Sequence, residues 1–169
     1  MDAQGAIDES RLTHLRELKW AIGKLKTENA VLRDENAELR AHYDFALLAA
    51  RDLEALPEDA KFVIVDGWNM ILGAKKEARD RKELEAQAKA HLEAHPEDFV
   101  WIVLDGPRFA SRTEGRLRVS YTGGAGAHRA DRFICDFLRM AVFRGVHRKI
   151  EVRTNDKDFQ KDVKRILSA

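Results

Sequence analysis

The residues best suited to chemistry are aspartates that come where predicted strands end. Asp66, Asp105 and Asp156 each follow a short run rich in apolar or β-branched residues. In an open α/β sheet the ligand site lies beyond the carboxyl ends of the strands, so these three carboxylates are expected to converge. A fourth, Asp131, lies one turn before Ile134 on the apolar face of a predicted helix, which directs its carboxylate toward the same end of the sheet.

Such a cluster needs compensation for its charge. Two carboxylates about 4 Å apart repel each other by roughly 4 kcal/mol at an effective dielectric constant of 20, so protons or cations must offset the repulsion. Oxygen ligands with no Cys or His at ligand spacing favour Mg²⁺ or Mn²⁺ over zinc. We therefore expect a metal site made of Asp66, Asp105, Asp131 and Asp156. The alternative is that each is a turn or cap residue, and Asp105, which precedes Gly106-Pro107, is also a good turn former.

A divalent cation held by carboxylates suits phosphodiester hydrolysis. That reaction requires an activated water, a polarised phosphoryl oxygen and a stabilised leaving oxygen, and a metal supplies all three. Asn69 lies three residues after Asp66, where the chain turns from strand toward helix. Its amide could hold a water or the phosphate, or it could cap the helix. The predicted catalytic residues are therefore Asp66, Asn69, Asp131 and Asp156.

Basic residues flank two of these aspartates. Arg108 and Arg112 follow the strand that ends at Asp105, and His128, Arg129 and Arg132 surround Asp131. Arginine forks match phosphate oxygens, so these residues are predicted to bind the substrate's phosphates. The alternative is that they are ordinary solvated loop residues. Trp68 could stack a base of single-stranded RNA, or it could be a buried packing residue.

An alternation of strands and helices positions these residues. Strands are predicted at 61–65, 99–104, 116–121 and 149–154, and helices at about 75–94, 128–144 and 157–168. The first two strands are apolar throughout, as in a parallel sheet covered on both faces. The predicted fold is an α/β domain over residues 61–169, with a mostly parallel sheet in a three-layer α/β/α arrangement.

A seven-residue repeat precedes this domain. Leucines recur at one core position, 18, 25, 32 and 39, and the other core position holds Leu15, Ile22, Asn29, Asn36 and Tyr43. Such a narrow seam is typical of a coiled coil. Residues 15–56 are predicted to form a parallel homodimer, with residues 1–14 as a flexible N-terminus. The alternative is an amphipathic helix packed on its own domain. Only Arg11 is basic before the leucines, which argues against a basic-zipper DNA-binding protein.

Charge and cysteine content narrow the function further. The net charge of +1 divides into −5 over residues 1–60 and +6 over residues 61–169, which mildly favours a polyanionic partner for the second part. Cys135 is the single cysteine, so no disulfide forms within one chain, and a reducing cytoplasm is the expected location. No apolar run approaches the length needed to span a membrane, so no membrane partner is expected.

Four motifs in chain order resemble those of NYN domains, which are PIN-like nucleases. They are Asp66-Gly67-Trp68-Asn69, Leu104-Asp105-Gly106-Pro107, Ala130-Asp131-Arg132-Phe133-Ile134 and Thr154-Asn155-Asp156-Lys157-Asp158-Phe159. The resemblance covers residues 61–169. The motifs are similar to those of both the YacP-like and the Regnase-type branches of the family. It implies a PIN-like fold and a Mg²⁺- or Mn²⁺-dependent ribonuclease, with Asp66, Asp131 and Asp156 at the metal site and Asn69 beside it. Ala130 departs from relatives that carry a second acid there, which leaves one or two metals open.

Two other classes of function stay open. One is a catalytically weak RNA-binding or scaffold module, in which the coiled coil has the main role. The other is a metal-dependent nuclease or phosphatase that acts on another phosphate substrate. The sequence does not distinguish an endonuclease from an exonuclease, and it gives no preferred RNA sequence.

Overall fold

The computed structural model describes residues 3–72, 78–124 and 128–168, except the side chains of residues 3–10 and of Glu38. The chain divides into two units, residues 1–40 and residues 41–169. One long helix, α1, runs over Ala3–Glu54. It begins well before residue 15, so the described part of the predicted flexible N-terminus, from Ala3 onward, is helical. None of the described helices is long and apolar enough to cross a membrane.

The second unit is built on a five-stranded sheet with four further helices. In chain order the elements are β1 (Phe62–Asp66), α2 (Gly67–Leu72), α3 (Arg81–Ala94), β2 (Phe99–Leu104), β3 (Phe109–Glu114), β4 (Leu117–Thr122), α4 (Arg129–Phe143), β5 (Ile150–Arg153) and α5 (Lys157–Leu167), with a short 3₁₀ turn at His147–Lys149. The strand order is β3-β4-β2-β1-β5. All neighbours are parallel except β3 and β4. The predicted α/β class with a mostly parallel sheet is therefore confirmed.

Side chains that alternate along β1 and β2 bury two separate hydrophobic clusters. Phe62, Ile64 and Trp101 pack with residues from the end of α1, from α4 and from α5. Val63 and Ile102 pack with residues of α2 and α3. Successive side chains of a strand point to opposite faces of the sheet, so helices cover both faces of the central strands. This explains why β1 and β2 are buried at every position and read as continuous apolar runs.

The end of α1 belongs to the core of the second unit. Phe45, Ala49 and Leu53 are at most 6% exposed and lie in the cluster with Phe62 and Trp101. Ala50 is also buried. If the seven-residue repeat continued, Ala50 and Leu53 would be core positions of the coiled coil between two chains. A side chain buried within its own chain cannot face a second copy, so the seam cannot continue through these positions.

A buried ion pair reinforces this packing. Arg118 of β4 is 7% exposed, and its guanidinium pairs with the Asp52 carboxylate of α1. The same guanidinium lies 5.1 Å from the ring centroids of Phe45 and Phe99. Because both charges are partly removed from water, breaking the pair by removing one partner would leave an uncompensated charge against the sheet.

In the first unit, unlike the second, the described large apolar side chains are exposed. Over residues 11–40, the large apolar side chains of α1 are 44–71% exposed. The four repeated leucines, Leu18, Leu25, Leu32 and Leu39, are 44%, 56%, 54% and 65% exposed. Within the described part of the chain, therefore, this helix face is not covered.

Two elements are absent from the sequence prediction. Strand β3 lies at the edge of the sheet, and almost every one of its residues is exposed, so it shows no apolar pattern. It pairs with β4 through a two-residue turn in which Gly115 has φ +59°. Helix α2 is only six residues long and begins directly after β1. The predicted helix at 75–94 is observed as α3 from Arg81, and residues 75–77 lie outside the described residues.

Candidate functional site

Asp66 is the last residue of β1 and is 3% exposed. Its Oδ2 accepts a hydrogen bond of 2.9 Å from Thr154 Oγ1, and Asn69 donates to its carboxylate from both backbone and side chain. Gly67 allows α2 to begin at once, because a Cβ there would lie 2.4 Å from Leu104 Cδ2. The motif Asp66-Gly67 thus fixes the carboxylate at the strand end and turns the chain away close to β2.

The position of Asp66 coincides with a reversal in the order of the strands. From β1 the chain adds β2 and then β4 on one side, and it returns to place β5 on the other side of β1. In open α/β sheets the crevice outside the carboxyl ends of the strands at such a reversal is the usual ligand site. Thr154, which follows β5, binds Asp66 across this point.

Asp156 begins α5. Its Oδ1 accepts hydrogen bonds from the backbone N–H groups of Asp158, at 2.8 Å, and Phe159, at 3.1 Å, so it is the N-cap of this helix. The alternative of a cap residue is therefore observed for Asp156. These capping contacts use only Oδ1, so Oδ2 takes no part in them.

Asp131 lies in the first turn of α4 and is 21% exposed. His128 precedes the helix with φ 60°, an uncommon left-handed conformation for a residue with a side chain. The His128 Nδ1 donates to Asp131 Oδ2 at 3.0 Å. The two side chains thus bind each other at the start of the helix.

Asp105 connects several elements at this end of the sheet. Its Oδ1 accepts hydrogen bonds from Thr122 Oγ1 at 3.1 Å and from the backbone N–H of Ala130 at 2.7 Å. Its backbone carbonyl accepts the indole N–H of Trp68 at 2.8 Å. The carbonyl of Thr122 in turn accepts a 2.6 Å bond from the His42 ring. Asp105 therefore has a structural role, since it holds the start of α4, which carries Asp131.

Two of the four aspartates, Asp66 and Asp131, have raised pKa values, to which burial contributes most and neighbouring aspartates add. Burial raises the pKa of Asp66, and the nearby Asp131 carboxylate raises it further, against the lowering effect of the bonds from Thr154 and Asn69. Burial also raises the pKa of Asp131, with further increases from Asp156 and Asp105 and a lowering effect from His128. The structure thus places Asp131 within electrostatic reach of each of the other three predicted metal-site residues, Asp66, Asp105 and Asp156.

The donor chemistry of this site fits a hard divalent cation. Carboxylate oxygens are the ligands of Mg²⁺ and Mn²⁺, and a cation would offset the burial and the neighbouring negative charges that raise the pKa values of Asp66 and Asp131. As the side chains stand, however, the described residues contain no group of three or more His, Cys, Asp or Glu positioned to hold a metal. A shared ion would require the carboxylates to turn toward one another.

The predicted phosphate-binding residues fall into two groups. His128, Arg129 and Arg132 flank Asp131 at the start of α4. The Arg129 guanidinium lies against Gly124, where a Cβ would be 2.2 Å from its Nη1. A pocket of about 420 Å³ between α4 and α5 is lined by His128, Arg132, Asp131 and Asp156 among others. These three basic residues therefore adjoin the aspartates.

Arg108 and Arg112 are placed differently. Arg108 is exposed between β2 and β3. Arg112 lies on the edge strand β3 and pairs with Glu85 of α3, and its Nη1 is 3.9 Å from Glu114 Oε2. Its guanidinium is thus already paired with glutamates, which weakens the expectation that it binds phosphate.

Several residues of the site were not singled out from the sequence. Thr154 entered the sequence analysis only as the first residue of a motif, and Thr122 and His42 have no recognisable signal, because the hydrogen bonds that bring these three residues to the site join positions distant in the chain. Trp68 was expected either to stack a base or to be buried. It is 37% exposed, and its N–H is bound to the carbonyl of Asp105.

Comparisons with known proteins add no identification. No family model, no curated protein and no solved structure matches this chain. The case for a function therefore rests on the residues and on their geometry.

Proposed function

We propose that the protein is a metal-dependent ribonuclease that hydrolyses RNA phosphodiester bonds. The observation that carries the proposal is that Asp66, Asp131 and Asp156, from three separate elements, lie at the carboxyl end of a parallel sheet beside the reversal of strand order, where the charge of Asp131 acts on Asp66 and that of Asp156 acts on Asp131. The raised pKa values of Asp66 and Asp131 mean that their ionised forms cost stability, and an arrangement of this kind is expected where function requires it.

The proposed domain is PIN-like, with a three-layer α/β/α arrangement, as in NYN domains. Support comes from the two hydrophobic clusters, one with α2 and α3 and the other with α4, α5 and the end of α1. The order of the four motifs along the chain agrees with the same family, and the choice of RNA over other phosphate substrates rests on that resemblance. The single cysteine favours a cytoplasmic enzyme.

In this proposal Asp66, Asp131 and Asp156 hold Mg²⁺ or Mn²⁺. The bound cation would activate water and offset charge on the phosphoryl group. The chain's own residues have defined tasks beside it. Thr154 and Asn69 orient the carboxylate of Asp66 by hydrogen bonds. Asp105 is assigned a positioning role, because its Oδ1 holds Ala130 and Thr122.

The substrate's phosphates would contact His128, Arg129 and Arg132 at the start of α4. A helix N-terminus favours anions through its dipole and its unpaired N–H groups, and the three basic side chains add to this effect. Trp68 is 37% exposed, and in this proposal its ring stacks on a base of single-stranded RNA.

The deciding experiment is cleavage of labelled single-stranded RNA by the purified parent and by Asp66→Asn, Asp131→Asn and Asp156→Asn. Each substitution keeps the shape of the side chain and removes its charge, so cleavage should fall by at least about a hundredfold in each, as chelation should abolish it in the parent. Asp136→Asn is the matched control, because Asp136 is 74% exposed and pairs with Arg139.

Binding should respond in the opposite direction. Without metal, removal of a carboxylate lessens repulsion toward phosphate, so the Asp to Asn variants should bind RNA at least as tightly as the parent. Equal cleavage by the parent and all three variants would reject the site. Binding of RNA without cleavage across many substrates would favour a scaffold module instead.

A further inference from the structure

Half of the exposed large hydrophobic side chains among the described residues lie on one stripe along α1. We call it the seam, and its members are Leu15, Leu18, Ile22, Leu25, Asn29, Leu32, Asn36, Leu39 and Tyr43. The seven apolar members are 44–65% exposed. A single helix with one apolar stripe open to water is poorly stabilised, because most helical stability in proteins comes from packing of that face.

The charges beside the seam identify what covers it. On one flank, the e positions, every residue is basic: Lys19, Lys26, Arg33 and Arg40. On the other flank, the g positions include Glu28 and Glu35. In a parallel pair of copies each g residue meets the e residue five positions later in the partner, so Glu28 meets Arg33 and Glu35 meets Arg40.

An antiparallel pair would be repelled by the same charges. There the e flank faces the partner's e flank, so four basic residues would lie against four basic residues, and the glutamates of the two g flanks would also face each other. Like charges across such a seam select against that arrangement. The polar Asn29 and Asn36 act in the same direction, because two asparagines at matching core positions can bond to each other in a parallel, in-register pair.

We propose that the seam of one copy binds the seam of a second copy as a parallel, in-register two-stranded coiled coil over residues 15–43. The buried positions of Ala50 and Leu53 set its C-terminal limit, because those side chains already pack within their own chain. This inference is independent of the ribonuclease activity, and its tests do not use RNA.

Disulfide trapping tests both the partner and the orientation. In a parallel, in-register pair Leu18→Cys meets itself, and so does Leu39→Cys, so each variant alone should form a covalent dimer under mild oxidation. In an antiparallel pair residues 18 and 39 lie near each other, so a mixture of the two variants should give mixed disulfides instead. The parent, whose Cys135 is 8% exposed, is the control and should not cross-link. Mixed disulfides in excess of self-disulfides would overturn the orientation.

Charge reversal tests the flanks in the full chain. Glu28→Lys/Glu35→Lys should weaken dimerisation by about tenfold or more at low salt, because four attractive contacts between the copies become repulsive. Glu17→Lys/Asp34→Lys changes the net charge equally at positions away from the seam, and it should leave the dimer unchanged. Both would be measured by sedimentation over a range of concentrations. A parent that stays monomeric at all of them, or equal weakening by both variants, would overturn the proposal.

Discussion

Two aspartates at opposite ends of the same sheet are equally buried and yet differently supported. Asp66 ends β1, Asp98 precedes β2, and each is 3% exposed. Asp98 Oδ1 accepts the backbone N–H of Lys61 at 2.7 Å, and its Oδ2 accepts a 2.9 Å bond from His91 Nε2. Asp66 instead has Asp131 as an electrostatic neighbour of the same sign.

Asp98 is therefore a carboxylate that stabilises the fold, whereas the ionised carboxylate of Asp66 destabilises it. Asp98 joins the start of β1 to α3, and both of its oxygens have donors. Burial raises the pKa of Asp66, and the carboxylate of Asp131 adds to that increase, so the ionised form of Asp66 is a cost to the folded state. A buried charge that costs stability, placed where ligands bind, indicates function more strongly than burial alone.

The largest expected effect on stability is at the amino end of the sheet. Asp98→Ala should lower the free energy of unfolding by about 3 kcal/mol, because it leaves the Lys61 N–H and the His91 ring without their buried partner. Urea unfolding followed by circular dichroism measures this loss. Asp136→Ala, at an exposed position, should change stability by less than about 0.5 kcal/mol. A loss at Asp98 no greater than at Asp136 would show that the Asp98 carboxylate does not stabilise the fold.

Asp105 shows whether an aspartate at the carboxyl end can also be structural. Asp105→Ala removes the acceptor of Thr122 Oγ1 and of the Ala130 N–H, and it should cost about 2 kcal/mol. Asp105→Asn keeps an oxygen acceptor, so it should cost less than half as much and retain part of the RNA cleavage. If Asp105→Asn abolishes cleavage as completely as Asp66→Asn, then Asp105 is a ligand like Asp66 and not a positioning residue.

The chain's pattern was informative where residues act through repetition. The first four residues of β1, Phe62–Val65, are apolar, and Asp66 follows them directly. Both the strand and the position of its carboxylate therefore follow from the sequence. The edge strand β3 could not be found in this way, because five of its six residues are exposed and carry no alternation. The turn at Gly115 was the one local signal of the hairpin.

The end of α1 shows a different limit of sequence reasoning. Ala46, Ala50 and Leu53 continue the heptad count, yet Phe45, Ala49 and Leu53 face the core of the same chain. Spacing along a helix gives the face that is apolar, but not whether that face meets its own chain or another. Contacts between residues distant in the sequence, such as Thr154 with Asp66 and Asp52 with Arg118, decide this and have no local signature.

A smaller effect is expected at Asp66, and its sign is opposite to that at Asp98. Because the pKa of Asp66 is raised, the contribution of Asp66 to the stability of the parent is greatest below the ordinary value of 3.8 and is lost as the pH rises through the raised value. Asp66→Asn removes this loss, so at pH 7 without divalent cations its melting temperature should exceed the parent's by a few degrees. At pH 3 the difference should vanish. A variant less stable than the parent at pH 7 would mean that the carboxylate stabilises the fold, as at Asp98.

The smallest expected effect is the stabilisation of the parent by a cation. A ligand that binds only the folded state adds about 0.4 kcal/mol at a concentration equal to its dissociation constant, which is a shift of about 1–2 °C in a domain of this size. Mn²⁺ should therefore raise the melting temperature of the parent progressively, and that of Asp136→Asn equally, since Asp136 is exposed and remote from the repulsion. Asp66→Asn and Asp131→Asn should not respond, because each lacks a charge that the ion would offset. An equal shift in all four proteins would show that Mn²⁺ binds elsewhere. The raised pKa of Asp66 would then not be evidence for a metal site at its end of the sheet.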